Sequence, residues 1–233
     1  MKKAGQGDPV AERTQAIKEH ALRSGFLAAG VAGPHALDAR RNELNQWLLG
    51  GLAGGMAYME AFFERQRRFL ADFPDLRSIL VLAAAYKAEL PESPNPEEKS
   101  GPPGLRPAGA VGRIARYSIG RDYHRVIGKQ LRQLESAIRS FGEGPVRIVR
   151  CIDTGPVQER VLAEQAGFGF FGKNTCLILP RGGSFVFLSA LLTNLELIPD
   201  EPIEWDCGSC TLCIQACPTQ ALTEPYRLDA RRC

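Results

Sequence analysis

The feature that most constrains this chain is a run of four cysteines close to its end. Cys207, Cys210, Cys213 and Cys217 follow the spacing C-x2-C-x2-C-x3-C, and Pro218 comes directly after the last of them. Three thiolates two residues apart can bind three irons of one cubane, while a fourth, placed before a proline, points to another cluster. Zinc sites use two separated ligand pairs instead of a single run. The spacing therefore predicts a ferredoxin-type [4Fe–4S] module.

The ligands divide between two clusters. Cys207, Cys210 and Cys213 are assigned to the first cubane, and Cys217 to the second together with Cys233. Two cubanes need about eight thiolate ligands, of which these residues supply only part. Another C-x2-C-x3-C-P run would be expected to follow Cys233. We therefore expect the sequence to be a truncated form, with electrons passing from the module to a catalytic site elsewhere in the protein.

The composition limits the classes of protein to which this chain can belong. Five of the seven cysteines lie in the last 27 residues, which in a reducing compartment indicates a metal site and not a disulfide framework. No apolar run approaches the roughly 20 residues needed to cross a bilayer, and residues 1–20 lack a signal-peptide core and a twin-arginine pair. We expect a cytoplasmic protein without membrane contact. The net charge of +3 is too small by itself to indicate a nucleic-acid binder.

Helical and strand patterns alternate before the cysteine run. Apolar periodicity predicts helices over 10–24, 37–49 and 122–141. Short apolar runs predict strands over 78–86, 146–152, 173–179 and 184–192. Six of the sixteen prolines fall in 91–110, which indicates an exposed loop. We predict an α/β (α+β) domain over 1–198 and a small iron–sulfur domain over 199–233, packed against it.

The strand over 146–152 runs into Asp153-Thr-Gly-Pro156, and proline at a first helical turn predicts a helix from Pro156 to about Ala166. Cys151 and Cys176 lie within strand patterns, and buried structural thiols are the preferred interpretation of both.

The helix over 122–141 has a basic face. Its apolar residues share one side, and the opposite side carries five cations with no alternating acids: Arg121, Arg125, Lys129, Arg132 and Arg139. Such a face is usually only solvated. Five charges of one sign could also follow a phosphate backbone. The sequence leaves both interpretations open for this basic stripe.

Several motifs together resemble one known family. The matching stretches are 112–117, 120–124, 153–156, 166–175 and 207–217 with 228–233, and a weaker one is 55–58. On these residues the sequence resembles the epoxyqueuosine reductase family, cobalamin-dependent iron–sulfur enzymes that complete the queuosine modification of tRNA. It differs from that family in stopping at Cys233, in the proline-rich insertion at 91–110, and in lacking the helical-repeat domain that many members carry.

The resemblance implies a nitroreductase-like corrinoid-binding domain followed by a ferredoxin-like iron–sulfur domain. It implies cobalamin and two [4Fe–4S] clusters as cofactors, although nothing in composition or periodicity reveals a corrinoid and the usual His-bearing cobalamin motif is absent. The implied partners are tRNA carrying epoxyqueuosine and an external electron donor of the ferredoxin or flavodoxin type. The protein is expected to be a monomer.

The resemblance also assigns residues. Removing an epoxide oxygen to leave an alkene takes two electrons and two protons, so a positioned acid is needed. Asp153 matches the family's proposed proton donor, although an Asp shortly before Pro156 could also be a helix cap. Arg160 is a candidate tRNA contact or an exposed helical arginine. The residues implied to touch the corrinoid, besides Asp153, are Arg116, Tyr117, Asn174, Thr175 and Leu177.

Two other functions fit parts of the pattern. A reductive dehalogenase uses the same cofactors to remove halide, but such proteins usually carry a twin-arginine signal that this sequence lacks. A non-catalytic electron-transfer or corrinoid-carrying module is the alternative from another class. A pocket without an acid at Asp153, or without a basic rim, would favour that module.

Overall fold

The computed structural model describes residues 8–86, 115–180 and 182–233; the proline-rich stretch 91–110 lies outside them. Its strands are β1 (Ala28–Ala32), β2 (Ser78–Ala85), β3 (Ile148–Cys151), β4 (Phe170–Phe171), β5 (Leu177–Ile178), β6 (Val186–Thr193), β7 (Leu222–Glu224) and β8 (Arg227–Leu228). Its α-helices are α1 (Pro9–Arg23), α2 (Arg41–Leu49), α3 (Phe62–Ala71), α4 (Tyr123–Arg139), α5 (Glu159–Gln165) and α6 (Leu212–Gln215). Short 3-10 helices cover Pro34–Leu37, Ala57–Met59 and Arg116–Ser118.

A four-stranded sheet forms the centre of the molecule, in the order β1-β2-β6-β3, and every pair in it is antiparallel. Helices cover both of its faces, so strand β2 is buried on each side and reads as a continuous apolar run. The mixed helix-and-sheet class predicted from the sequence is confirmed, and its antiparallel sheet makes it an α+β fold. Two small hairpins, β4-β5 and β7-β8, lie outside this sheet.

The sheet separates two apolar cores. Ile79 and Val81 of β2 face the core that contains Leu162 of α5, whereas Leu80 and Leu82 face the core built with α1 and α4. This alternation follows from the two-residue repeat of a strand. Each fully buried leucine or isoleucine stabilises the fold by about 1.5–3 kcal/mol. Both cores hold the sheet from which Asp153 and its loop emerge.

Helix α4 follows the predicted periodicity closely. Asp122 caps its start by accepting a hydrogen bond from the N–H of His124 at 2.9 Å. Residues at helical spacing are buried against α1 and the sheet: Ile127, Leu131, Leu134 and Ile138. Gln130 adds a hydrogen bond to the carbonyl of Ser24 at 3.0 Å. The helix is therefore fixed along its length, and the basic stripe faces away from the core.

Three predicted boundaries are wrong for local reasons. Helix α5 begins at Glu159 and not at Pro156, because the chain turns over 152–158 with Asp153 in the left-handed region. Helix α2 begins at Arg41 and not at residue 37, because Arg40 has φ +56°. The strand expected over 173–179 is limited to Leu177–Ile178, because Thr175 closes a turn by donating its N–H to the carbonyl of Gly172 at 2.9 Å.

The cysteine-bearing tail packs against the larger part, as predicted. Trp47 donates its indole N–H to the carbonyl of Leu228 at 2.6 Å, and Ala230 donates its N–H to the carbonyl of Leu52 at 2.9 Å. Lys173 reaches the carbonyl of Gly208, inside the cysteine run, at 2.6 Å. The placement of a domain boundary between residues 198 and 199 stays a prediction.

Across the part of the chain that the structure describes, no helix has the length and apolarity required to cross a membrane.

Candidate functional site

Asp153 lies where the chain leaves strand β3. Its backbone has φ +59°, a left-handed conformation that Asp tolerates better than most non-glycine residues but that still costs about 1–3 kcal/mol. Its side chain is 65 % exposed, and Oδ2 accepts a hydrogen bond from the hydroxyl of Tyr123 at 2.8 Å. The residue at the N-cap of α5 is Gln158, so Asp153 does not cap that helix. The loop instead presents its carboxylate at the surface.

Gly155 allows the loop to turn this tightly. A Cβ at this position would lie 2.8 Å from the sulfur of Cys151, a distance that real Cβ atoms essentially never show. Thr154 donates its N–H to the carbonyl of Ile152 at 2.6 Å and closes the same turn. The sequence Asp-Thr-Gly-Pro therefore forms a turn, and the carboxylate of Asp153 lies beside Tyr123.

Two further titratable groups adjoin Asp153. Burial raises the pKa of Glu159 to about 7, and the nearby charge of Asp153 adds to this effect. Its Oε1 is buried with no hydrogen-bond partner among the described residues. Burial and the hydrogen bond to Asp153 raise the pKa of Tyr123 to about 12, so this phenol stays protonated and remains a donor. His124, next to Tyr123, has Nε2 3.9 Å from Oδ2 of Asp153.

An aromatic cluster lies beside the acid. Tyr123 stacks on Phe187 with ring centroids 4.2 Å apart and planes 9° from parallel, and Tyr86 packs on Phe187 at 4.6 Å. Phe185 contacts Tyr86 edge-on at 5.8 Å, and the guanidinium of Arg116 lies 6.0 Å from the Phe185 ring. Phe185, Tyr117 and Ile119 are about half exposed. Flat, partly uncovered apolar surface of this kind suits a large planar ring such as a corrin.

The loop after β4 contacts both helix α5 and the cysteine run. Arg160 of α5 donates to the carbonyl of Thr175 at 2.6 Å, and Asn174 accepts a hydrogen bond from the N–H of Cys176 at 3.1 Å. Thr175 has φ +64°, so the loop is sharply bent here. Lys173, on the same loop, donates a hydrogen bond from its side chain to the carbonyl of Gly208. Of the predicted corrinoid residues, Asn174 and Thr175 lie on this loop, which contacts both α5 and the tail. The side chain of Leu177 is in the core, and Arg116, Tyr117 and Asp153 lie on other segments.

The two remaining cysteines behave differently from each other. Cys151 is buried, as predicted, and burial raises the pKa of its thiol to about 12, which keeps it unreactive. The prediction that Cys176 is buried is wrong. Cys176 lies in the bend at the end of the Gly172 turn, where its backbone pairs with Gly172 and its side chain faces solvent. The residue types around Cys176 are common in strands and therefore predicted a regular strand, but the chain forms a turn here.

The cysteine run forms a short loop leading into α6. Cys210 donates its N–H to the carbonyl of Cys207 at 2.9 Å, and Gly208 adopts φ +48° between them. The N–H groups of Leu222 and Ala221 and the hydroxyl of Thr219 lower the pKa of Cys217 to about 7, as suits a thiolate ligand. Among the described residues no three His, Cys, Asp or Glu side chains form a metal-holding group, so the assignment to clusters, including that of Cys233, stays a prediction.

The five members of the basic stripe are all exposed. Arg125 is 90 % exposed and lies 4.0 Å from Asp122, a weak pairing. Arg139 donates to the carbonyl of Val146. Lys129 and Arg132 enter no ion pair within the described ranges, so these two cations are available to an anionic partner. Arg160, in contrast, is already bound to the loop carbonyl of Thr175.

Sequence reasoning missed the residues that surround Asp153. Tyr123 and His124 lie in the matching stretch 120–124, so that stretch was the one signal that could have found them. Glu159 carried none, since its burial depends on how α5 packs. These three residues come from two helices and meet Asp153 only in the folded chain.

Three comparisons place the chain among known proteins. A protein-family model described as "Epoxyqueuosine reductase QueG, DUF1730" matches residues 68–154. An epoxyqueuosine reductase of Gloeobacter violaceus is 42 % identical over 218 residues, covering 93 % of this chain and 63 % of that protein. The chain thus spans somewhat less than two thirds of that relative.

Solved structures agree with this. A structure of epoxyqueuosine reductase from Bacillus subtilis, with its catalytic loop swung out of the active site, superposes with a TM-score of 0.81 at 32 % identity, covering 95 % of this chain and 56 % of that one. An epoxyqueuosine reductase with an epoxyqueuosine-modified tRNA-Tyr stem loop gives a TM-score of 0.79 at 31 % identity, with coverage of 95 % and 56 %. The chain belongs to the epoxyqueuosine reductase family.

Proposed function

We propose that this chain reduces epoxyqueuosine to queuosine in the anticodon loop of tRNA. The observation that carries the proposal is Asp153, an acid held by Tyr123 at 2.8 Å and exposed beside an aromatic surface at the end of β3. A relative of the same fold has been solved with an epoxyqueuosine-modified tRNA stem loop. A pocket without this acid would have favoured the non-catalytic alternative, so the acid supports an enzyme.

Asp153 acts as the proton donor to the epoxide oxygen. The hydrogen bond from Tyr123 fixes Oδ2, which leaves Oδ1 free to face the substrate. Because the phenol of Tyr123 stays protonated, it orients the carboxyl group in both protonation states. The left-handed backbone at Asp153 and the turn at Gly155 hold the carboxyl group away from the sheet.

A corrinoid fits beside this acid. Arg116 and Tyr117 border the half-exposed aromatic surface, and Asn174 and Thr175 form the bend that Arg160 supports. When bound, cobalamin supplies the strongly reducing centre that the loss of the epoxide oxygen requires. Leu177 contributes only through the core beneath the loop.

Iron–sulfur clusters held by the cysteine run would relay the electrons. Cys207, Cys210 and Cys213 hold one [4Fe–4S] cluster, while Cys217 and Cys233 belong to the other. Soluble iron–sulfur enzymes of this kind take electrons from a ferredoxin- or flavodoxin-type donor, which we propose as the partner. We place the protein in the cytoplasm, where its tRNA substrate is found, and propose that it acts as a monomer.

The tRNA is held by cations near α4. Sequence-specific proteins bind RNA loops by splaying out bases and contacting the flanking phosphates. Lys129 and Arg132 are available for phosphates, and Arg125 lies one turn nearer to the site. Arg160 supports the Thr175 loop and adds positive charge at the mouth of the site.

Anaerobic reconstitution tests the proposal. The chain is loaded with iron, sulfide and cobalamin, each is counted per chain, and an epoxyqueuosine-modified stem loop is assayed for queuosine by mass spectrometry. We expect cobalamin binding in the wild type, and turnover in the chains that the iron and sulfide counts show to be loaded with both clusters. Asp153→Asn should keep cobalamin and lose turnover by about 10²-fold or more. Asp72→Asn, at an exposed position after α3, is the matched control and should leave both unchanged. Near-normal turnover in Asp153→Asn would contradict the role of the acid.

A further inference from the structure

We propose that His124 returns a proton to Asp153 within each turnover, and that Asp122 holds the imidazole in the tautomer this transfer requires. The inference rests on the proposed reduction of an epoxide, and it assigns a positioning and proton-supplying role to two residues that the resemblance did not name.

The geometry forms a line of three groups. Nδ1 of His124 lies 3.1 Å from Oδ1 of Asp122, and Nε2 lies 3.9 Å from Oδ2 of Asp153. Nε2 is buried and has no hydrogen-bond partner among the described residues. A buried, unpaired ring nitrogen costs free energy, so its position facing a carboxylate requires a partner. Catalytic hydrogen bonds are often long before substrate binds, and this one must shorten by about 1 Å.

Asp122 and the aromatic cluster fix the ring. Hydrogen bonds from the N–H and the imidazole of His124 lower the pKa of Asp122, so Asp122 is ionised and accepts from Nδ1–H. The ring also stacks on Tyr123 with centroids 4.1 Å apart. With Nδ1 bonded to Asp122, Nε2 is directed at Asp153.

The stoichiometry of the reaction requires a second proton, which this arrangement can supply. Loss of the epoxide oxygen as water consumes two protons, whereas one carboxylic acid carries one. After Asp153 protonates the oxygen, it is a carboxylate. An imidazolium at His124 then transfers its Nε2 proton to Oδ2: the N–H bond breaks, the O–H bond forms, and the ring becomes neutral while keeping Nδ1–H. Rotation of the carboxylic acid about its Cβ–Cγ bond then exchanges the two oxygens and presents this proton to the substrate, so Asp153 can donate again. No electrons move in this step.

The other titratable groups around His124 and Asp153 are poorer sources. Tyr123 has its pKa raised to about 12 and gives up its proton reluctantly. Glu159 has a buried, unpartnered Oε1, so exchange with water is hindered. Arg125, near Asp122, does not release its proton in proteins. The side chain of His124 is 41 % exposed although Nε2 is buried, so a rotation of the ring between turnovers brings Nε2 to solvent for a new proton.

Two measurements test the relay. First, ¹⁵N NMR of histidine-labelled apo chain reports the ring tautomer; the chain has only three histidines, so single His→Gln variants assign them. We expect neutral His124 to carry its proton on Nδ1, and Asp122→Ser, whose shorter side chain can still cap the helix but removes the carboxylate beside the ring, to release this preference. Second, His124→Gln in the reconstituted chain should lower turnover about 10²-fold, and the loss in His124→Ala, which leaves space for a ring, should be partly restored by added imidazole. His35→Gln, at an exposed position, is the control.

The outcomes separate the relay from the proposed function. An Nε2–H tautomer at His124, or a tautomer that Asp122→Ser leaves unchanged, overturns the relay even if the chain is an active reductase. Turnover near wild type in His124→Gln, or a loss in folded His124→Ala that imidazole never restores, also overturns it. A wild-type chain that binds cobalamin but reduces no epoxyqueuosine contradicts the proposed function. In that case the NMR measurement by itself still shows whether Asp122 holds His124 in the Nδ1–H tautomer.

Discussion

Replacing Glu159 by Gln should change how the stability of the fold depends on pH. Burial raises the pKa of Glu159 from its ordinary value of 4.5 to about 7, with the charge of Asp153 as a smaller cause. Below about pH 4.5 the carboxyl is protonated in both the folded and the unfolded chain, so it adds no pH dependence. Between about pH 4.5 and 7 the unfolded chain releases the proton while the folded chain keeps it, so stability falls as pH rises.

The size of this effect follows from the two values. They differ by about 2.5, and each unit corresponds to about 1.36 kcal/mol, so the wild type should lose about 3 kcal/mol across this window through Glu159 alone. Glu159→Gln removes the titrating group and keeps its size. The difference in unfolding free energy between variant and wild type should therefore shift by about 3 kcal/mol in favour of the variant between pH 4.5 and 7.5.

Urea unfolding at closely spaced pH values measures this difference. The comparison uses the change with pH, because a buried amide can itself be unpaired and shift both ends of the curve equally. Glu12→Gln, at an exposed position on α1, is the control and should run parallel to the wild type. If the curves of Glu159→Gln and wild type are also parallel, then Glu159 ionises freely in the folded chain and the argument from its burial is refuted.

Three further changes test other parts of the molecule. Cys210→Ala should abolish the electron paramagnetic resonance signal of one cluster and keep the other, and equal loss of both would contradict the division of ligands. Replacing Lys129 and Arg132 by Gln should reduce the slope of log affinity for the stem loop against log salt by about 0.7–0.9 for each phosphate that is no longer neutralised, whereas an unchanged slope would mean that these cations are only solvated. Leu131→Ala, fully buried between α4 and the sheet, should lower the unfolding free energy by about 2–5 kcal/mol in urea titrations, and a smaller decrease would show that the core closes around the cavity.

Periodicity predicted the parts of the fold in which local sequence and burial agree. Helix α4 and strand β2 match their predicted ranges to within about two residues at each end. Helix α4 buries one face and shows a helical apolar repeat, whereas β2 is buried on both faces and shows a continuous apolar run. The cysteine module was predicted from spacing alone. Helix α3 and strand β1 were missed, since β1 is a short run of small residues, Ala28–Ala32, with no marked pattern.

Local signals failed where the chain bends to form the site. Pro156 predicted a helix start, but the close approach of Gly155 to Cys151 and the left-handed backbone of Asp153 keep the chain in a turn until Glu159. No propensity scale encodes these contacts, because they depend on the end of β3 packing in the sheet. The acid itself was found only through the family resemblance, and its neighbours only through the fold.

Helix α4 joins the two halves of the proposed function. Its first turn carries Tyr123 and His124, which contact or face Asp153, and its exposed side carries the basic stripe. At 1.5 Å per residue, the part of the stripe that lies on α4, from Arg125 to Arg139, spans about 21 Å, which is the length of a few nucleotides of RNA backbone. Because the apolar side of α4 is fixed in the core, phosphates bound along this stripe would lie at a set distance from the acid. A tRNA stem held there would bring one base of its loop to Asp153, so the helix that binds the backbone would also select the nucleotide to be reduced.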